Sequence, residues 1–194
     1  MRAVETFLAI GIGVGLASVA GVRAFLPPAL ASLFALFGLF YVPEQVVGIG
    51  PEILLGGLAA LAVLEIVLDK VRALERGFNM AMVPVRMASG AVLFAAAMGL
   101  DVDMGSLVWL GAGAVIAGVV AVLKLVLRPA LGNSAGVSGS FLSLIEDAVA
   151  LVGSAAGCFV PLIPLLLVAF LLFFFYRIRK RRGRRYGGLR ILGD

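Results

Sequence analysis

The chain has 194 residues, of which 62% are hydrophobic and 14% are charged. Because soluble domains carry roughly 25% charged residues, this composition excludes an ordinary soluble protein. The sequence has no histidine and one cysteine, Cys158, which removes the usual ligands of haem, zinc, copper and iron–sulfur clusters. We therefore expect no cofactor and no metal centre, and we interpret Cys158 as a small hydrophobic residue.

Seven apolar runs follow one another along the chain. Most are about 15 to 20 residues long, and a helix of roughly 20 residues crosses a hydrocarbon core. The runs lack the alternation of barrel strands, and a backbone in lipid must satisfy its hydrogen bonds internally. The sequence therefore predicts an all-α, polytopic transmembrane helix bundle with about seven spans, five or six being the alternative. The predicted spans are Thr6–Val22, Ala29–Val42, Ile53–Leu68, Met80–Leu100, Ser106–Leu127, Phe141–Gly157 and Leu162–Tyr176.

Two connections leave the number of spans open, because apolar sequence lies close on both sides of them. One connection is Arg23–Pro28 and the other is Pro161–Pro164. Proline removes a backbone N–H and disfavours a helical residue before it, so we expect short or broken helices at both places. Each flanking pair of runs is two short spans, a re-entrant hairpin or one long broken helix.

Small residues recur every four positions in the first and fifth runs. Gly11 precedes Gly15 by four positions, Gly113 precedes Ala117 by four, and a second series in the first run ends at Gly21. Small side chains on one helix face allow two backbones to approach where lipid supplies no hydrophobic driving force. We therefore expect these faces to lie at helix–helix contacts.

The distribution of basic residues predicts the orientation in the membrane. Of the 16 Lys and Arg residues, eight lie between Arg177 and Arg190, directly after the last apolar run. Two further connectors contain Lys70 and Arg128. Because basic segments next to spans stay in the cytoplasm, we expect all three on that side, with seven crossings and the N-terminus outside.

The chain accordingly divides into two parts. Residues 1–176 form a single transmembrane helical domain, and residues 177–194 form a basic cytoplasmic tail. We expect a multi-pass protein of the bacterial inner (plasma) membrane. A basic run beside a span suits contact with anionic membrane lipids, so we expect no nucleic-acid partner.

Ionisable residues at membrane depth are the most informative feature. A charge at the centre of a spanning helix costs roughly 2.5 to 3.5 kcal/mol on insertion scales. Under the predicted topology they all lie in the cytoplasmic half, where we expect a polar intramembrane site. The candidate residues are Arg23, Glu65, Asp69, Lys70, Arg86, Lys124, Arg128, Glu146 and Asp147.

Two pairs of these residues have helical spacing. Glu65 and Asp69 are four positions apart and share a helix face, and so do Lys124 and Arg128. If the helices are neighbours, Glu65 meets Lys124 and Asp69 meets Arg128, and the pairs form a packing clamp or part of a functional site. The alternative basic partners, from two other runs, are Arg23 and Arg86.

The other charges are compatible with a ligand site and with a structural role. Arg86 follows Pro84, and an opened helical turn beside a cation suits an anionic ligand. Glu146 and Asp147 follow the polar loop Gly132–Ser140, whose hydroxyls and backbone suit an ion or a phosphate. The loop is alternatively a flexible linker that ends in a helix cap.

Five short segments with charges or prolines stand in a fixed order: Gly21–Pro27, Leu64–Lys70, Pro84–Arg86, Arg128-Pro129 and Ser143–Asp147. Their order and spacing resemble the bacterial membrane family catalogued as domain of unknown function 4126, over about Thr6 to Arg177. The resemblance implies a membrane protein whose signature positions are the charged residues above. It implies no activity, and the basic tail is not part of the family's pattern.

Three functions are compatible with these residues. The leading interpretation is a small transporter or channel with a site for a small ion or an anionic solute, because intramembrane charges commonly mark such pathways. The second is a non-transporting scaffold, as a homo-oligomer or as an assembly subunit of a membrane complex, or a protein that binds lipid headgroups. A lipid-headgroup transferase is the weakest, because the sequence lacks the multi-Asp motif of such enzymes. We expect no enzymatic activity.

Overall fold

The computed structural model describes residues 3–41, 51–69, 75–100, 104–128 and 139–187. Within these ranges the chain forms eight helices and no strand, which confirms the predicted all-α bundle. The helices are α1 (Ala3–Val22), α2 (Leu26–Leu36), α3 (Pro51–Asp69), α4 (Glu75–Ala81), α5 (Val83–Ala97), α6 (Leu107–Leu127), α7 (Gly139–Gly157) and α8 (Leu162–Gly187).

Three of the described helices are long and apolar enough to cross a membrane. They contain Glu5–Val22 of α1, Leu107–Leu127 of α6 and Leu162–Lys180 of α8. Helices α2 and α5 are apolar but shorter, and α3 and α7 have 19 residues each. The chain is therefore a helical membrane protein, and the total of seven spans stays a prediction.

Helix α1 lies at the centre of the bundle. It packs against α5, α6, α7 and α8, and 56% of its apolar window is buried, compared with 33% for α6 and 22% for α8. The glycines of α1 make this central position possible. A Cβ atom at Gly21 would lie 2.6 Å from the Ala117 carbonyl oxygen, which confirms the predicted close contact of these small-residue faces.

The connection at Pro161 separates two helices that fold back on each other. Helices α7 and α8 pack side by side, so this pair is not one long broken helix. The turn between them lies against the first half of α1, where a Cβ atom at Gly11 would come within 2.7 Å of the Pro161 side chain. The predicted packing role of Gly11 is thereby confirmed at the end of the molecule away from the basic segment.

Two predicted runs differ in extent from the observed helices. Within the described part of the run Ala29–Val42, the helix α2 ends at Leu36, because Gly38 has a φ of +69° and forms a left-handed turn. The run Met80–Leu100 is divided between α4 and α5, with Pro84 in the first turn of α5. At about 1.5 Å per residue, the 11 residues of α2 extend roughly 16 Å, about half of a hydrocarbon core.

The last helix continues beyond its apolar part. Helix α8 runs past Tyr176 into the basic segment as far as Gly187, because Lys and Arg are good helix formers. Arg179 donates a hydrogen bond to the carbonyl oxygen of Val126 near the C-terminus of α6. The basic part of α8 therefore lies at the same end of the bundle as Arg128.

Candidate functional site

The site begins at an interruption between two helices. Helix α1 ends at Val22, and α2 starts at Leu26 after a short non-helical stretch. Such an interruption leaves carbonyl groups without partners at the end of α1 and N–H groups without partners at the start of α2. Pro27 and Pro28, in the first turn of α2, have no N–H, which reduces the number of donors that need an acceptor.

The carboxylate of Glu65 accepts two backbone donors in the interruption before α2. The N–H of Ala24 lies 3.1 Å from Glu65 Oε1 and 2.9 Å from Oε2, and the N–H of Phe25 lies 3.3 Å from Oε2. A carboxylate at this position also interacts favourably with the positive end of the helix dipole. Glu65 therefore acts as an N-terminal cap for α2 that is supplied by another helix, α3.

Lys124 stabilises the other side of the interruption. Its Nζ donates a hydrogen bond of 3.0 Å to the carbonyl oxygen of Val22, at the C-terminal and electronegative end of α1. The same Nζ lies 2.8 Å from Glu146 Oε2. Both ends of the interruption are thus held by buried side chains of opposite charge.

Asp69 is the most highly connected carboxylate of the site. Its oxygens lie 3.0 Å from Arg23 Nη2 and 3.1 Å from Arg128 Nη1. They also accept hydrogen bonds of 2.6 Å from Asn79 Nδ2 and 3.2 Å from Ser143 Oγ. This carboxylate therefore joins four other segments of the bundle.

Arg86 connects α5 to the same group. Its Nη2 lies 3.3 Å from Glu65 Oε1 and donates a hydrogen bond of 2.8 Å to Asn79 Oδ1. Asn79 belongs to the short helix α4 and donates to Asp69 through its other amide atom. The amide group of Asn79 thus connects the carboxylate of Asp69 to the guanidinium of Arg86.

Helix α7 supplies two further carboxylates. Arg23 Nη2 lies 2.6 Å from Asp147 Oδ1 and 4.0 Å from Glu146 Oε2. Glu146 Oε1 is 3.2 Å from Nε of Arg128. Together with Lys124, these cations surround Glu146 on the inner side of α7.

Eight charged side chains therefore converge from helices α3, α5, α6 and α7, from the interruption after α1 and from the residue after α6, and we call them the charge cluster. Four are cations and four are carboxylates, so their formal charges sum to zero. Six of the eight have a relative exposure of 1% or less, and Arg128 and Asp147 are half-buried. The members are Arg23, Glu65, Asp69, Arg86, Lys124, Arg128, Glu146 and Asp147.

Eight of the nine candidate residues from the sequence belong to the charge cluster, and the ninth, Lys70, lies outside the described residues. The predicted pairing of Asp69 with Arg128 is confirmed. The preferred pairing of Glu65 with Lys124 is wrong, because Glu65 meets the alternative partner Arg86 and Lys124 meets Glu146. The backbone donors before α2 draw Glu65 to that side of the cluster.

Sequence reasoning missed two polar members of the site, Asn79 and Ser143. Ser143 stands three and four positions before Glu146 and Asp147, which places all three near one helix face. That spacing was a usable signal. Asn79 carried none, because it stands beside the predicted span and not within a pattern of charges.

Two guanidinium groups of the cluster retain unused donors. The Nε and Nη1 atoms of Arg23 and of Arg86 are buried and have no hydrogen-bond acceptor among the described residues. Both side chains make their contacts through Nη2. Buried donors normally have partners, so these four nitrogen atoms depart from the usual pattern.

The remaining chemistry is limited. The described residues contain no group of three or more His, Cys, Asp or Glu side chains arranged to hold a metal ion. The thiol of Cys158 is buried and contacts the carbonyl oxygen of Ser154, at the opposite end of α7 from the cluster. Ion pairing and hydrogen bonding are thus the interactions that this site offers.

Comparison with known proteins identifies a family. The sequence model of a family described as domain of unknown function DUF4126 matches residues 10–181. The chain belongs to this family. The DUF4126 match includes every member of the charge cluster, and the resemblance noted from the sequence is confirmed. No curated protein and no solved structure matches the chain.

Proposed function

We propose that this DUF4126 protein is a small, non-enzymatic transporter or channel of the bacterial inner membrane. The observation that carries the proposal is the charge cluster around the interruption between α1 and α2. Discontinuous helices whose ends point at charged groups are typical of transporter substrate sites. Buried ionisable residues are also costly in a membrane unless they have a function or a full set of partners.

The polar groups suit a small ion or an anionic solute. Arg23 and Arg86 keep unused N–H donors in the protein interior, where a hydrogen bond to a charged group is strong. The four carboxylates balance the four cations. A charged solute that enters the cluster therefore leaves a large uncompensated charge unless it replaces one of these groups or forms a new ion pair with one of them. This balance favours a solute that replaces a charged group of the cluster over a solute that adds a further charge to it.

The proposed orientation places the charge cluster toward the cytoplasm. The basic part of α8 meets the end of α6 through Arg179 and Val126, close to Arg128. Because basic segments are retained in the cytoplasm, that end of the multi-pass bundle, including the C-terminus, faces inward. Membrane lipids with anionic headgroups are the expected partners of the tail, and nucleic acid is not.

Flux through reconstituted vesicles tests the proposal. Proteoliposomes that contain the wild-type chain are expected to move at least one of a panel of labelled organic anions, inorganic anions, alkali cations or protons. Arg86→Gln and Glu65→Gln should reduce that flux at least about tenfold, the usual effect of removing a buried charge contact of about 1.4 kcal/mol. Glu52→Gln, at an exposed carboxylate of the same helix α3, is the matched control and should leave it unchanged. Absence of flux for the whole panel would refute transport.

A scaffold function is the second candidate, and the equal numbers of cations and carboxylates favour it. A cluster in which every charge has an oppositely charged neighbour ties α3, α5, α6 and α7 to the interruption between α1 and α2 without any ligand, as a packing clamp. On this view the protein acts as a homo-oligomer, as an assembly subunit or as a binder of lipid headgroups. Mild-detergent purification from the native host distinguishes the two, because a stoichiometric protein partner supports the scaffold and its absence together with flux supports transport.

A further inference from the structure

We infer that the start of α2 and Arg86 form a binding site for a monovalent carboxylate, and that Glu65 is its tethered occupant. This inference rests on the proposed transport function and names the class of solute. A solute with a carboxylate group would take the place of the Glu65 side chain. The same chemistry occurs in a small organic acid and in a fatty acid, and the experiment below separates these two sources.

The hydrogen bonds around Glu65 define the site. Both carboxylate oxygens are engaged, with Ala24 N at 3.1 and 2.9 Å and Phe25 N at 3.3 Å from Oε2. Arg86 Nη2 lies 3.3 Å from Oε1. Helix N-termini bind anions through such N–H groups, so this surface suits a planar group with two oxygens and a shared negative charge.

Arg86 supplies the second and independent observation. Its side chain has a relative exposure of 0%, and its Nε and Nη1 have no acceptor among the described residues. Glu65 therefore uses only part of what Arg86 offers. A free carboxylate, which is not constrained by a helix backbone, can approach the guanidinium in a better geometry than the tethered one.

Glu65 is the carboxylate that is easiest to replace. Its ion pair is with Arg86, whereas Asp69 contacts both Arg23 and Arg128, and Glu146 lies close to Lys124 and Arg128. Displacement of Glu65 thus breaks fewer of these ion pairs than displacement of Asp69 or Glu146 would. The exchange also keeps four carboxylates beside four cations, which excludes a divalent anion as the preferred ligand.

Helix α3 allows the exchange, because one narrow stripe holds it in the bundle. Among residues 52–69, the buried side chains are Ala62, Glu65 and Asp69, spaced three and four positions apart. Helix α3 packs along α2 and meets α4, and most of its remaining surface is exposed. Because Asp69 at the end of this stripe keeps its own partners, we expect the Glu65 side chain, and not the whole helix, to move when a solute replaces it.

Chemical rescue in detergent solution tests the site. Glu65→Ala should lower the melting temperature of the full chain, and roughly 100 mM acetate should raise it by about 5 °C, as expected for an apparent Kd of roughly 1 mM. Chloride or phosphate at equal ionic strength should not do so. The wild type and the matched control Glu52→Ala, which both retain Glu65, should show a much smaller acetate effect, because the tethered carboxylate competes for the site. Octanoate serves as the second arm: rescue at a much lower concentration than acetate identifies a fatty acid, and equal potency identifies a small organic acid.

A second variant covers the case in which Glu65→Ala does not fold. Glu65→Gln keeps one oxygen acceptor for the Ala24 N–H and loses the charge and the second acceptor oxygen. Labelled acetate should bind to this variant in nuclear magnetic resonance experiments, and the additional change Arg86→Gln should abolish the binding. No acetate binding to either variant, or an equal response to chloride, would overturn the inference. If the inference fails but solute flux persists, the protein transports a solute without using this binding site. If acetate rescues the variant but no flux is found, the transport function is refuted and the binding site is retained.

Discussion

Lys124 Nζ donates a hydrogen bond to the carbonyl oxygen of Val22, 3.0 Å away, while lying 2.8 Å from Glu146 Oε2. One buried ammonium group therefore connects α6 to the end of α1 and to α7. At the start of α2 the negatively charged Glu65 has the corresponding role, because its carboxylate accepts a hydrogen bond from the Ala24 N–H. An interrupted helix is stabilised in this way by two side chains from helices that are distant in the sequence, and its stability depends on their charges.

The first prediction concerns this contact of Lys124. Lys124→Met should lower the free energy of unfolding by about 3 kcal/mol, or the melting temperature by roughly 6–12 °C, because it removes the nearest cation of Glu146 and the buried donor to the Val22 carbonyl group. Lys124→Arg keeps the charge and should lose less than half as much. Thermal unfolding in detergent measures both variants. Equal losses for Met and Arg would show that side-chain packing, and not the charge, supports the end of α1.

The second prediction uses the pair Glu65 and Arg86. Glu65→Leu alone should destabilise the protein more than the double variant Glu65→Leu/Arg86→Leu, because the single change leaves a buried guanidinium without its carboxylate. The Ala24 N–H loses its acceptor in both variants, so its effect cancels in the comparison. Melting temperatures of the two variants in the same detergent decide the matter, and a lower value for the double variant would contradict the ion pair.

The third prediction concerns the close approach of α1 and α6. A Cβ atom at Gly21 would lie 2.6 Å from the Ala117 carbonyl oxygen, so Gly21→Ala should destabilise the protein by about 1–3 kcal/mol. Gly56→Ala is the control, since no atom lies within 4 Å of a Cβ atom there. It should stabilise α3 by up to about 1 kcal/mol. A similar loss at both glycines, measured by thermal unfolding, would argue against the specific contact.

The fourth prediction tests the orientation. In a Cys158→Ala background, Lys180→Cys should resist an impermeant thiol reagent in intact cells, because it lies in the basic and cytoplasmic part of α8. Phe159→Cys is the matched position, exposed in the turn before the other end of α8, and it should react. The reverse pattern of labelling would invert the topology.

The sequence by itself determined that lipid surrounds this protein and that its secondary structure is helical. Long apolar runs in a chain with 14% charged residues require lipid as the surrounding medium, and lipid in turn requires helices. The sequence also identified the charged residues of the site, because a charge in such a run is expensive and so is conspicuous. Glycines such as Gly21 revealed the contact faces for a similar reason, since small residues are where helices approach closely.

Only the tertiary structure decided which charges meet. The sequence offered Lys124 and Arg86 as partners of Glu65, and spacing along one helix does not distinguish between them. The choice depends on how α3 is rotated and placed against the interruption between α1 and α2, where backbone N–H groups compete for the same carboxylate. The unpaired N–H groups of a helix lie at its N-terminus. The residues at which α1 ends and α2 begins follow from packing around Arg23, and the local sequence alone does not determine them.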